Sequence, residues 1–485
     1  MATLSSLASP ASIDGQHFDT IIIGSGFGSG FFLLEALRHQ RTGRVLVLEW
    51  GEIRDHGEQV AAGANASIKP DDTFTNASAK PWNFTIGFGG GTNCWFAQTP
   101  RFHPSDFRLH SFYGVGRDWP FDYAELEPFY CDAEEVMSIS GDNDMASVLP
   151  RSRPFPQPPH ILSTPDAMLK KARPDMHFVM PTARARIATG TRPSCCANLR
   201  CSLCPIDAKF TANNGLVDVF QHPNVTFCAG ARVTHLGADN CIVRTVHFET
   251  KGQRCSVNAS LVVLGANAIH SPAILLRSGM EQGPVGLGLH EAYGIEVEAM
   301  LDGIDNFDGS TITTGLDYGA YDGPFRTASG SALLYFENRW KFGFRRETGR
   351  WRQTLPIVIV VEELPRDGDR IEIGADGRPR AIGGEPSAYA IQGAERALES
   401  LPEILSALPV ERIEKRNVRP TESHLQGSLR MGTDPARSVV DENQIHHAYR
   451  NLVVVGSSVF PSCSAANPSL TVAAMSLRAA RRLMA

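Results

Sequence analysis

The feature that most constrains this chain is a Gly-rich turn set between two β-branched runs. Phe18-Asp19-Thr20-Ile21-Ile22-Ile23 ends in Gly24-Ser25-Gly26-Phe27-Gly28-Ser29-Gly30, Phe31 to His39 reads as an apolar helix, and Arg44-Val45-Leu46-Val47-Leu48 ends in Glu49. Strand, turn, helix and strand in that order make a βαβ unit of a Rossmann-type α/β fold. Gly24 and Gly26 allow the tight bend and let backbone approach a pyrophosphate on the helix N-terminus, while Glu49 lies where a carboxylate can hold a ribose hydroxyl. Ser29 stands where the fingerprint has its third glycine, with Gly30 beside it, a departure small enough to keep close helix–sheet packing. A Gly-rich loop alone can be an ordinary turn; the flanking strands and the Glu make it a dinucleotide site. NAD(P) and FAD both use this unit, so the choice must come from elsewhere.

The C-terminus supplies it. Asn451-Leu452-Val453-Val454-Val455-Gly456 reads as a buried strand, Ser457 to Ala466 as a loop of small residues, and Leu470, Ala473, Ala474, Leu477 and Ala480 recur at helical spacing from Ser469 to Arg482. Pro468 suits the first turn of that helix because it needs no backbone donor there. Free N–H groups and the positive dipole end at Asn467-Pro468 favour anionic charge such as a reduced flavin develops, which selects FAD.

Composition narrows the partners. The 485 residues suit two large domains, or one nucleotide-binding domain interrupted by a second, and no apolar run reaches the length of a membrane span. Lys and Arg number 46 against 52 Asp and Glu, so the net charge of 46 − 52 = −6 leaves no basic excess for nucleic acid. Ten cysteines are too few for a disulfide scaffold, yet four fall between Cys195 and Cys204. Met1 to His17 has no positive start followed by an apolar core, so the expectation is a chain without a secretory signal of its own.

Further segments complete a pattern: Gly87-Phe88-Gly89-Gly90-Gly91-Thr92, Gly116-Arg117-Asp118-Trp119-Pro120-Phe121, Gly265-Ala266-Asn267-Ala268-Ile269-His270-Ser271-Pro272, and His424-Leu425-Gln426-Gly427-Ser428-Leu429-Arg430-Met431-Gly432. In this order, with the two ends of the chain, they resemble the glucose-methanol-choline (GMC) oxidoreductases. The resemblance implies that His424 and Asn467 are the catalytic pair facing the flavin. It implies a cofactor site of Gly24, Gly26, Ser29, Glu49, Gly90, Gly91, Asn93, Cys94, Val233, Ala266, Ser458 and Pro468. The chemistry agrees, since alcohol oxidation needs a base for the hydroxyl proton while hydride leaves carbon, and an amide that holds the substrate oxygen. Several sugar-oxidising relatives carry a histidine bonded to the flavin where this chain has Cys94, so a histidyl link is not expected. Cys94 is read as a small packing residue against a non-covalent FAD.

Cys195, Cys196, Cys201 and Cys204 admit three readings. They could be buried thiols, although their density then has no reason. Structural zinc prefers two spaced knuckles, which the adjacent pair Cys195-Cys196 fits poorly. An iron–sulfur cluster tolerates the spacing because each thiolate ligates a different iron, and Cys204-Pro205 matches the end of cluster-binding runs. The stretch is similar to the cysteine-rich region of the FAD-dependent glucose, gluconate and fructose dehydrogenase branch, which implies a [3Fe–4S] cluster beside the flavin. The last spacing is one residue short of that pattern, leaving open which three cysteines ligate. With a cluster the enzyme is a dehydrogenase; without one, reoxidation by oxygen or a quinone makes it an oxidase, and a non-redox lyase is the reading from another class.

The FAD-binding domain is expected over residues 1–160, 195–290 and 418–485, a cap or connector over 161–194, and an antiparallel substrate-binding domain over 291–417. Strand-like runs Tyr293 to Met300 and Thr354 to Val361 mark the last. Resemblance implies a sugar or glycoside substrate, and a possible small partner subunit with a cytochrome or quinone as electron acceptor. The expected location is the cytoplasm, or the periplasm by co-export with that partner.

Overall fold

The computed structural model describes Leu4 and residues 7–39, 43–339 and 347–484. The two β-branched runs form parallel strands, His17–Ile23 and Val45–Leu48, with Thr20 opposite Val45 and Ile23 opposite Leu48. Residues 20–23 and 45–48 are all buried. Continuous apolar runs are what strands covered on both faces require.

These strands lie in a seven-stranded sheet built around the long strand Gln253–Leu264. Its first half pairs antiparallel with Ile242–Thr250, and its second half pairs parallel with His17–Ile23 and with Leu452–Val454. The strand near the C-terminus thereby ends beside the first Gly-rich turn. The intervening helix spans Phe27–Arg38 with Gly26 at its N-cap, four residues ahead of the start that apolar periodicity indicates. The glycines that weaken the helical pattern are demanded by packing: a Cβ on Gly28 would lie 2.7 Å from the Gly456 nitrogen. The missing third glycine is made good from the other side, because a Cβ on Gly265 would meet Ser29 Oγ at 2.2 Å. The small residue has moved from helix to strand, and the close approach survives.

The second layer is a six-stranded antiparallel sheet in the order Val410–Val418, Tyr293–Leu301, Thr354–Val361, Ala332–Glu337, Thr313–Asp317, His177–Val179. The two runs read as strands are strands. The stretch 161–194 read as a connector contributes His177–Val179, the edge strand of this sheet. Ile357, Ile359 and Val361 pack in a core with helix Ala388–Ile404, whereas Val358, Val360 and Tyr335 join the core of the nucleotide-binding half. The period of two sends alternate residues to each.

Buried charges fasten the two layers together. Arg326, fully buried, reaches Asp106 at 3.0 Å and Glu362 at 2.8 Å. Asp106 also accepts from Tyr321 Oη at 2.7 Å and Ser464 Oγ at 2.9 Å, anchoring the loop that precedes Asn467. Among the described residues no helix is long and apolar enough to cross a membrane.

Candidate active site

Where the strand ends of the parallel sheet meet the antiparallel sheet there is a cavity of about 910 Å³. Gly24, Gly26, Glu49, Gly90, Gly91, Cys94, Val233, Ala266, His424, Asn467 and Pro468 all line it. Ser29, Asn93 and Ser458 lie behind the wall. Ser29 packs on Gly265, and Asn93 donates from Nδ2 to the Phe88 carbonyl at 2.6 Å. Ser458 is buried next to Ser457, which does line the cavity. These three shape the site without facing its occupant.

At the nucleotide end Glu49 accepts from Ser25 Oγ at 2.7 Å, Ser25 N at 3.1 Å and Gly51 N at 2.9 Å. Burial raises its pKa, against these hydrogen bonds. Ser25 Oγ in turn accepts from Gly89 N at 3.0 Å, locking the Gly-rich turn to the second glycine segment. The turn is open at Gly26, where a Cβ would touch nothing within 4 Å, whereas one on Gly90 would sit 3.3 Å from the Gly26 Cα, so the two glycine loops pack closely against each other. A diphosphate can lie along the cavity side of these loops, where Gly24, Gly26, Gly90 and Gly91 present backbone rather than side chains. The residues present fit FAD.

Three residues of this wall have no role assigned from the sequence: Trp50 and Arg232 lie outside the motifs, and His270 lies within the Gly265–Pro272 segment. His270 stands edge-on to Trp50 and Phe84, with centroids 5.2 and 5.6 Å away, and Arg232 lies over Trp50 at 5.6 Å. Burial lowers the His270 pKa to about 3, with Arg277 and Arg232 adding to the effect. Trp50 directly follows Glu49, the one signal that could have found it. The antiparallel sheet adds Tyr335, Glu337, Val358 and Val360.

His424 and Asn467, 43 residues apart, meet in the cavity with Asn467 Nδ2 donating to His424 Nε2 at 3.2 Å. Each is held from behind. The His424 backbone N–H donates to Glu291, which is ion-paired to Lys80 at 3.2 Å. Tyr335 Oη donates to the Ala465 carbonyl, and Ser464 is tied to Asp106, so the approach to Asn467 is fixed on both layers. Burial depresses the His424 pKa to about 3, assisted by Arg419 and Lys80. The imidazole is therefore neutral at ordinary pH, with Nε2 as acceptor. The helix Ser469–Met484 begins here, its Pro468 and Ser469 facing the cavity.

The four clustered cysteines line a second, small cavity of about 10 Å³ with Arg184, Leu199 and Pro205. Cys201 is buried and Cys196 exposed, and none of the ten cysteines is disulfide-bonded. Burial raises the pKa of Cys201 and Cys196, with the neighbouring thiols contributing in the same direction. Among the described residues no group of three or more His, Cys, Asp or Glu converges on one metal-ion position. Lys209 sits between the two cavities; burial lowers its pKa to about 8, against the thiols of Cys94, Cys201 and Cys204.

A mixed, largely parallel nucleotide-binding sheet, an antiparallel sheet roofing its cavity and a His–Asn pair inside are the arrangement of a flavin oxidoreductase. Comparison places it more narrowly. The GMC oxidoreductase family profiles match residues 180–293 and 383–476. The fructose dehydrogenase large subunit of Gluconobacter japonicus is 26% identical, over 96% of this chain and 97% of that protein. A 6'''-hydroxyparomomycin C oxidase of Streptomyces lividus is 28% identical over 96% and 91%. The crystal structure of pyridoxine 4-oxidase from Mesorbium loti shares the fold, with a TM-score of 0.66 and 18% identity over 96% of this chain and 99% of that one. Matched by both GMC oxidoreductase profiles, the chain is an FAD-dependent oxidoreductase acting on alcohols.

Proposed function

We propose that this enzyme oxidises an alcohol group of a sugar or glycoside, and that its electrons leave through an iron–sulfur cluster held in the Cys195–Cys204 loop. The observation that carries the oxidation is the His424–Asn467 pair facing the cavity. Bound FAD supplies the hydride acceptor. The bond between Asn467 Nδ2 and His424 Nε2, 3.2 Å long, pairs a donor with an acceptor, and a substrate hydroxyl that parts them can accept from the one and donate to the other. The hydroxyl then meets a neutral base at Nε2, which takes its proton, and the Asn467 amide, which orients its oxygen. Tyr335, Val358 and Val360 close the cavity from the substrate sheet and limit water.

The fructose dehydrogenase among the relatives supports a sugar as substrate. Three of the four cysteines would hold a [3Fe–4S] cluster, which supplies one-electron transfer to an external acceptor such as a quinone or cytochrome, with a small partner subunit as a further possible component. The four thiols that line one small cavity are soft sulfur donors of the kind such a cluster uses, each thiolate binding its own iron. The oxidase alternative is favoured by one observation, the mere 10 Å³ now enclosed by the thiols.

Anaerobic addition of sugars to the purified protein tests the reading. Bleaching of the flavin with reduction of an artificial dye supports a dehydrogenase, and peroxide formation in air supports an oxidase. No bleaching with any alcohol leaves only a non-redox role. Iron and sulfide analysis with low-temperature EPR decides the cluster, and Cys201→Ala is expected to lose iron while keeping FAD.

A further inference from the structure

Lys209 is buried, and its ammonium donates to the carbonyls of Asn93 at 2.6 Å, Cys201 at 2.7 Å and Trp95 at 3.0 Å. All three N–H bonds are used. It forms no ion pair among the described residues. Asp207, two positions away, instead faces His56 Nδ1 at 3.5 Å and accepts from Asn214 Nδ2 at 2.9 Å. Carbonyl dipoles satisfy the hydrogen bonds of a buried cation without cancelling its charge, and an isolated buried charge is costly. Its place suggests what offsets it. Two of its carbonyls belong to residues in or next to the helix Gly91–Cys94, whose Gly91 and Cys94 line the FAD cavity. The third belongs to Cys201 in the thiol cavity, and Ser202, the next residue, lines the FAD cavity. The lysine thus occupies the wall shared by the two sites.

We propose that Lys209 is a positioning residue that ties the cysteine loop to the edge of the FAD cavity and provides the fixed positive charge favouring the reduced state of the cluster. This rests on the cluster reading above. A thiolate-ligated cluster is anionic and gains one further negative charge with each electron it accepts. On that reading the flavin reduced by the alcohol would supply the electron, and an external quinone or cytochrome would take it on. A cation fixed beside the cluster stabilises the more negative state, so electrons move from flavin toward cluster more readily.

The test is a dye-mediated redox titration of the full-length protein followed by EPR, with iron and FAD content measured on the same samples. Lys209→Met is expected to shift the one-electron equilibrium of the cluster toward the oxidised state by about tenfold or more, which for a one-electron couple is about 59 mV lower in midpoint potential. Lys209→Arg keeps the charge and is expected to stay close to the wild type. Loss of iron with retained FAD in Lys209→Met, but not in Lys209→Arg, would equally support a charge requirement. An unchanged midpoint in an iron-loaded Lys209→Met protein overturns the proposal while leaving the cluster reading intact. Loss of iron or of the fold in both variants overturns the charge role in favour of geometry alone. Wild-type protein free of iron and sulfide removes the cluster and this inference together.

Discussion

A histidine with the ordinary pKa of about 6.5 is only about 3% neutral at pH 5, and a base that must be neutral to act would lose about thirtyfold in rate on going there from above pH 7. His424 is held at about 3, chiefly by burial and further by Arg419 and Lys80, so about 99% of it stays neutral at pH 5. The rate of anaerobic flavin reduction at limiting substrate, which reports the free enzyme, is therefore expected to be nearly flat between pH 7 and pH 5. Stopped-flow bleaching of the flavin after a rapid pH jump measures this without involving the electron acceptor and before acid can unfold the protein. His424→Ala is expected to slow the same reaction by about 10²-fold or more, because on the proposed reading it removes the base that takes the hydroxyl proton. A thirtyfold fall in the wild type centred near pH 6.5, absent in His424→Ala, would refute the depressed pKa. Near-normal reduction by His424→Ala would show that another group is the base.

Other consequences follow from the packing. Gly90 has φ of 48° and its added Cβ would project toward Gly26, so Gly90→Ala is expected to abolish FAD retention, read as the flavin-to-protein ratio after purification. Arg326→Met leaves Asp106 and Glu362 buried without their cation and is expected to cost about 3–5 kcal/mol in denaturant unfolding, with less loss in acid as Glu362, whose pKa burial raises, takes up a proton; a pH-independent loss would contradict this account. Burial, with smaller local contributions, lowers His160, His290 and His446 to about 4 and His270 to about 3. The unfolded chain binds more protons than the folded one between those values and about 6.5, so each site removes about 1.4 kcal/mol per pH unit as the pH falls through that window. His177 runs the other way: despite burial, Asp166 and Asp317 raise its pKa, so its contribution is present below the ordinary histidine value and lost as pH rises through the raised one. Denaturation midpoints across pH are expected to fall steeply on the acid side.

Much of the site was legible because its parts are local. The Gly24–Glu49 unit has a composition that few other structures require, and His424 and Asn467 each sit in a segment whose neighbours identify it. Helix boundaries were less legible at Phe27, since a run rich in glycine reads as a turn until the Gly456 backbone is seen lying against Gly28. Trp50, Arg232 and the aromatic contacts of His270 were not legible because an aromatic wall has no spacing rule.

Local chemistry in the sequence determined that this chain binds a dinucleotide, that a helix starts at Asn467-Pro468, and that four cysteines crowd into one loop. Only the tertiary structure decided what those parts do to one another. It set the exchange of a small residue between Ser29 and Gly265, the meeting of His424 with Asn467, the Arg326 junction between sheets, and Lys209 in the wall between the thiols and the FAD cavity. The reason is physical: propensity and capping act over a few residues, whereas a steric approach, a buried charge or a depressed pKa depends on atoms far apart in the chain that only folding brings together.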